Sequence, residues 1–247
     1  MILTQKIPTF SIQNCFNMSK RKDKLFVLIL GMHRSGTSCL AGSLRNCGLY
    51  LGDVSQSNKA NLKGNMENRV VWKINDELLN LNGGSWRSPI IVSKINDGLK
   101  ERIREFIEEM KGGGQYCGVK DPRMLFCLKA WSFLDTRFVG TVRYPYSVAQ
   151  SLVKRNPNIL FDQGLKLWFD YNSRMLSLYR EEPFPIVNFD WETEKYKRAI
   201  KGLAGYLGLN SAVEDFFEDS LKHNRSFDRI ECEEQRNLYN KTRNTNK

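Results

Sequence analysis

Six consecutive apolar residues, Leu25 to Leu30, run directly into Gly31-Met32-His33-Arg34-Ser35-Gly36-Thr37-Ser38. A short apolar run bounded by turn residues reads as a fully buried strand. Cys39, Leu40, Leu44 and Cys47 follow at helical spacing. Strand, glycine loop and helix in succession is the layout of a phosphate-binding loop. Loop amides and the positive end of the helix dipole converge on one point and stabilise an anion there.

The loop differs from that of an ATPase. The ATP-binding pattern ends in Gly-Lys-Ser/Thr, its lysine reaching the outer phosphates. Here Thr37 and Ser38 follow Gly36, and the basic residue is Arg34, two positions earlier. A second element lies downstream. Arg137 to Arg143 reads as a strand ending in arginine, Tyr144-Pro145 breaks it, and Ser147 to Lys154 reads as a helix. Ser147 and Ser151 share one helix face. An arginine at the strand end can meet the Ser151 hydroxyl, and the two can hold a phosphate through a guanidinium fork and a hydroxyl donor.

Arg34-Ser35-Gly36-Thr37-Ser38 resembles the 5′-phosphosulfate loop of sulfotransferases that use 3′-phosphoadenosine-5′-phosphosulfate (PAPS). Arg143-x-Pro145-x5-Ser151 resembles their 3′-phosphate motif. Lys63-Gly64-Asn65-Met66-Glu67-Asn68-Arg69, Asn75 to Leu79, Gly84-Ser85-Trp86 and Lys120-Asp121-Pro122-Arg123 resemble a bacterial subgroup with the Gly-Met-His-Arg-Ser-Gly-Thr-Ser loop. The similarity runs from about Leu25 to about Leu209.

The resemblance implies an α/β P-loop-containing nucleotide-binding fold with a mainly parallel sheet flanked by helices. It also implies PAPS as donor, with 3′-phosphoadenosine-5′-phosphate as product and no metal. Ser35, Gly36, Thr37 and Ser38 would cradle the 5′-phosphosulfate and Arg34 would stabilise charge on the bridging oxygen. Arg143 and Ser151 would anchor the 3′-phosphate. Lys120, Asp121 and Arg123 are possible sulfate or substrate contacts. The acceptor implied is a carbohydrate or glycolipid.

Relatives acting on phenols and steroids use a histidine base between the two motifs, but no histidine lies between His33 and His223. A carboxylate base follows, as in the tyrosylprotein and heparan enzymes, and Glu67 is the first choice. Asp121 competes, with an ion pair to Lys120 or Arg123 as its structural alternative. His33 is a further candidate within the loop.

Two other classes stay open. An ATP- or GTP-dependent phosphotransferase would need the missing lysine and a magnesium carboxylate, for which Asp121 is the candidate. A basic RNA- or glycan-binding protein would need clustered cations with exposed aromatics. The net charge of +11 suits any anionic partner, but the basic residues are scattered and nucleic acid is not expected.

None of the six cysteines pairs at Cys-x-x-Cys spacing. Those at 39, 47, 117 and 127 read as small buried thiols, consistent with a reducing cytoplasm. No segment approaches the ~20 apolar residues of a membrane span. Residues 1–24 read as a disordered tail, with Met18 a candidate native start, 25–223 as the domain, and 224–247 as a polar tail or solvated helix. Residues 53–66 read as a polar loop suited to gating an acceptor. Helices are expected over Asn68–Leu81, with Val71, Ile74, Leu78 and Leu81 on one apolar face, around the stripe Ile95 to Met110, over Asp162–Glu181 and over Glu192–Leu207. Short strands are expected over Tyr116–Val119 and Pro185–Phe189.

Overall fold

The computed structural model describes residues 25–55, 64–132, 136–211, 216 and 233–244. The proposed start at Met18 and most of the polar 53–66 loop lie outside these residues. The described residues contain four strands: β1 (Leu25–Leu30), β2 (Tyr116–Lys120), β3 (Thr136–Val142) and β4 (Ile186–Asn188). They form a sheet in the order β2-β1-β3-β4, and every pairing is parallel. Helices α1 (Thr37–Asn46), α2 (Arg69–Leu81), α3 (Asp97–Gly113), α4 (Met124–Cys127), α5 (Pro145–Arg155), α6 (Phe161–Glu181), α7 (Thr193–Leu207) and α8 (Glu233–Arg243) flank it.

β1 is apolar throughout because both its faces are covered. Phe26, Leu28 and Leu30 point into a core shared with α2, α3 and α6. Val27 and Ile29 point into a second core shared with α1 and α7. Side chains alternate across a strand, so a parallel sheet covered on both sides needs an unbroken apolar run. The fold is therefore α/β, as the sequence implies.

The helix boundaries have local causes. The Asn68 side chain accepts from Val70 N at 2.9 Å and caps α2. Asn96 does the same for α3 through Leu99 N. Pro145 opens α5 inside its first turn, where its missing N–H costs nothing. Two expectations change. Leu81 is exposed, and Leu79 takes its place in the core. Residues 233–243 are neither frayed nor wholly solvated: α8 packs on α6 and β4 with Leu238, Tyr239 and Thr242 buried. The apolar edge of α8 is narrow, so its composition reads as polar. Among the described residues no helix is long and apolar enough to cross a membrane.

Candidate functional site

The carboxyl ends of adjacent strands lead directly into the charged segments, at the edge where open α/β sheets bind ligands. After β1 the chain turns sharply, with Arg34 at φ 65° and Gly36 at φ 85°. Ser35 N donates to Met32 O at 3.2 Å, and Thr141 Oγ1 of β3 donates to Ser35 O at 3.0 Å. Gly36 is the N-cap of α1; no side chain caps this end and no acidic residue occupies the first turn. The leading amides of a helix lack internal acceptors, so the end is an uncapped positive pole. A Cβ at Gly36 would lie 2.3 Å from the Phe189 ring. Ser35 is fully buried, and its hydroxyl has no hydrogen-bond partner among the described residues.

Arg34 faces the β3 side of the loop. Its Nε donates to Ser151 Oγ at 2.8 Å, and its carbonyl accepts from Arg143 Nη1 at 3.2 Å. The Arg143 guanidinium stacks on Phe189, 5.2 Å from the ring centroid, and its Nε lies 3.7 Å from Asp190 Oδ1. Burial, then Arg155 and Arg143, lower Arg34 to about 10. Burial also lowers Arg143, against the pull of Asp190.

His33 faces the other way. Its ring packs on Trp86 at 5.0 Å and Tyr171 at 5.7 Å. Its Nε2 is buried without a hydrogen-bond partner among the described residues. Burial lowers it to about 3, with Arg123 and Lys120 adding to the effect, so the ring is neutral.

On this side Lys120 Nζ, at the end of β2, donates to Glu67 Oε1 at 2.7 Å. Lys120 is buried, whereas 17% of the Glu67 side chain is exposed. Burial pushes the Glu67 carboxyl up, but Lys120, His33 and Arg123 outweigh it and lower it to about 2. Ser38 Oγ donates to Asn65 O at 2.9 Å and ties the segment carrying Glu67 to α1. Asp121 Oδ1 accepts from Arg123 N at 2.8 Å and Arg123 Nη1 at 3.1 Å. Arg123 Nε donates to Asp76 at 2.8 Å. Burial raises Asp121 to about 6 against the Arg123 charge, and its Oδ2 has no hydrogen-bond partner among the described residues.

The predicted residues thus form two groups astride the loop: Arg34, Arg143 and Ser151, and Glu67, Lys120, Asp121 and Arg123 with His33. Three details differ from the sequence reading. Ser151 is engaged by the loop arginine Arg34. The Ser35 amide is occupied by Met32 O, leaving the amides of Gly36, Thr37 and Ser38 at the helix end. The Ser38 hydroxyl donates to Asn65 O. Sequence reasoning missed Asp76, Asp190, Trp86 and Tyr171 as partners of this site. Asp76 and Trp86 fall within segments that carry the resemblance, and a charged residue just past β4 was the available signal for Asp190; Tyr171 gave none beyond ordinary core packing.

The fold and loop define a P-loop-like α/β protein. No family model and no curated protein sequence matches the chain. Among solved structures it is similar to the sulfotransferase domain from the Synechococcus PCC 7002 olefin synthase, at 15% sequence identity and a TM-score of 0.48. That similarity covers 83% of this chain and 82% of the other.

Proposed function

We propose that the protein is a sulfotransferase that takes the sulfuryl group from PAPS and transfers it to a hydroxyl or amine of a carbohydrate or glycolipid acceptor. The observation that carries this reading is the Arg34 Nε to Ser151 Oγ bond, which joins the loop after β1 to the helix after β3. Two motifs more than a hundred residues apart thereby form one cationic cradle, with Arg143 beside it. The buried Ser35 hydroxyl, without a hydrogen-bond partner among the described residues, and the uncapped end of α1 fit a bound phosphate group.

PAPS would supply the activated sulfuryl group. The amides of Gly36, Thr37 and Ser38 hold its 5′ end, and Arg34 neutralises charge there. Arg143 and Ser151 grip the 3′-phosphate. Glu67 is the base: it is ionised and partly exposed, whereas the Asp121 side chain is fully buried against Arg123. Lys120 holds the Glu67 carboxylate in orientation. An anionic group arriving at the loop competes for the Lys120 ammonium and raises the basicity of Glu67.

Calorimetric titration tests the reading, with 3′-phosphoadenosine-5′-phosphate set beside ADP and ATP with magnesium. Tight binding that requires the 3′-phosphate and no metal is expected. Preference for ATP with magnesium would replace sulfuryl transfer with phosphoryl transfer.

A further inference from the structure

We infer that Tyr239 of the C-terminal helix α8 is a positioning residue for the anion grip of Arg143, acting through Asp190. This rests on the functional reading above, in which Arg143 binds the 3′-phosphate. Tyr239 is buried, and its hydroxyl donates to Asp190 Oδ2 at 3.0 Å while accepting from Asn188 Nδ2 at 3.1 Å. The same Asp190 oxygen accepts from Tyr144 N at 2.6 Å, and Asp190 N donates to Asn188 Oδ1 at 2.8 Å. One carboxylate oxygen is therefore tied down by α8 and by the start of α5.

The other oxygen, Oδ1, stands 3.7 Å from Arg143 Nε, too far for a hydrogen bond. Asp190 thus orients the guanidinium electrostatically without closing a tight pair on it. A carboxylate that did close would compete with a phosphate for the same fork of donors. By holding Oδ2, the Tyr239 hydroxyl helps to fix Asp190 at this distance from Arg143 Nε. The Trp168 indole, which donates to Arg143 O at 2.9 Å, fixes the backbone of the same residue. Helix α8 therefore contributes to the site from behind, without reaching the ligand itself.

The test uses the full chain and two probes, 3′-phosphoadenosine-5′-phosphate and 5′-AMP. Tyr239→Phe keeps the ring contacts with Tyr144 and Trp168 and removes only the hydroxyl. It is expected to weaken the first probe about tenfold and leave 5′-AMP within about twofold, since hydrogen bonds to charged groups carry effects of this size. In an Arg143→Ala background the same change is expected to add nothing. Thr242→Val, at another buried position of α8, controls for helix docking and is expected to leave the ratio of affinities unchanged. Equal weakening of both probes, no weakening, or an additive effect in the Arg143→Ala background would overturn the inference alone. A wild-type protein that does not distinguish the two probes would overturn the functional reading, and the role of Tyr239 with it.

Discussion

The Phe189 ring occupies the space where a side chain at Gly36 would stand. A Cβ there would meet ring carbon Cδ2 at 2.3 Å, and the backbone is already left-handed at φ 85°. The residue that gives the loop its shape and the residue under the Arg143 guanidinium are thus in direct contact. Gly36→Ala is expected to cost more than the ~1–2 kcal/mol of the left-handed conformation alone, because an aromatic ring must also move. Thermal unfolding should show the loss, and binding of 3′-phosphoadenosine-5′-phosphate should fall with it. A variant with unchanged melting and binding would show that the loop tolerates a side chain.

Glu67→Gln tests the proposed base. It is expected to leave the affinity for 3′-phosphoadenosine-5′-phosphate nearly intact and to lower turnover by roughly 10²–10⁴-fold. Turnover near that of the wild type, measured with labelled PAPS and an accepted substrate, would move the role to another group.

Arg143→Ala tests the proposed grip on the 3′-phosphate. Removing a guanidinium from a charged hydrogen bond is expected to weaken 3′-phosphoadenosine-5′-phosphate by about 10–100-fold. Binding of 5′-AMP should change far less. Equal losses for the two nucleotides would count against this role.

His33 makes a prediction about acid stability. Its pKa falls from 6.5 to about 3 on folding, through burial and then Arg123, with Lys120 and Arg155 assisting and Glu67 opposing. Between those values the unfolded chain holds a proton that the folded chain lacks. Stability from this group is therefore lost as pH falls through that window. Asp121, raised to about 6, acts in the opposite sense but is common to both proteins in a comparison. Urea unfolding at pH 7 and pH 4.5 should show the stability of wild type relative to His33→Gln shrinking at the lower pH. A constant difference would mean that His33 titrates in the fold as it does in water.

The elements were legible wherever a local pattern carries them. The apolar run of β1 and the stripe of α3 are statements about neighbours in sequence, and the fold honours them. The loop after β1 and the arginine ending the next motif were legible for the same reason. The contact between Arg34 and Ser151 spans 117 positions. It exists because β1 and β3 are adjacent, and periodicity does not encode strand order. The ties from Asp190 to Arg143 and Tyr239 were hidden likewise, since they depend on β4 lying beside β3 and on α8 folding back across it. Leu81 misled because a helix's last turn can project beyond the element that covers the rest of its apolar face.

His33 and Arg34 are consecutive, yet their side chains serve opposite sides of the loop. The side of His33 holds Trp86, Tyr171, Glu67 and Lys120, drawn from the chain up to β2 and from α6. The side of Arg34 holds Ser151, Arg143 and Asp190, drawn from the ends of β3 and β4 and from α5. A central β1 with different neighbours on its two flanks makes the site separable. Under the proposed function, substitutions around Trp86 and Glu67 would change one flank of β1 while leaving Arg34, Ser151 and Arg143 on the other flank as they are.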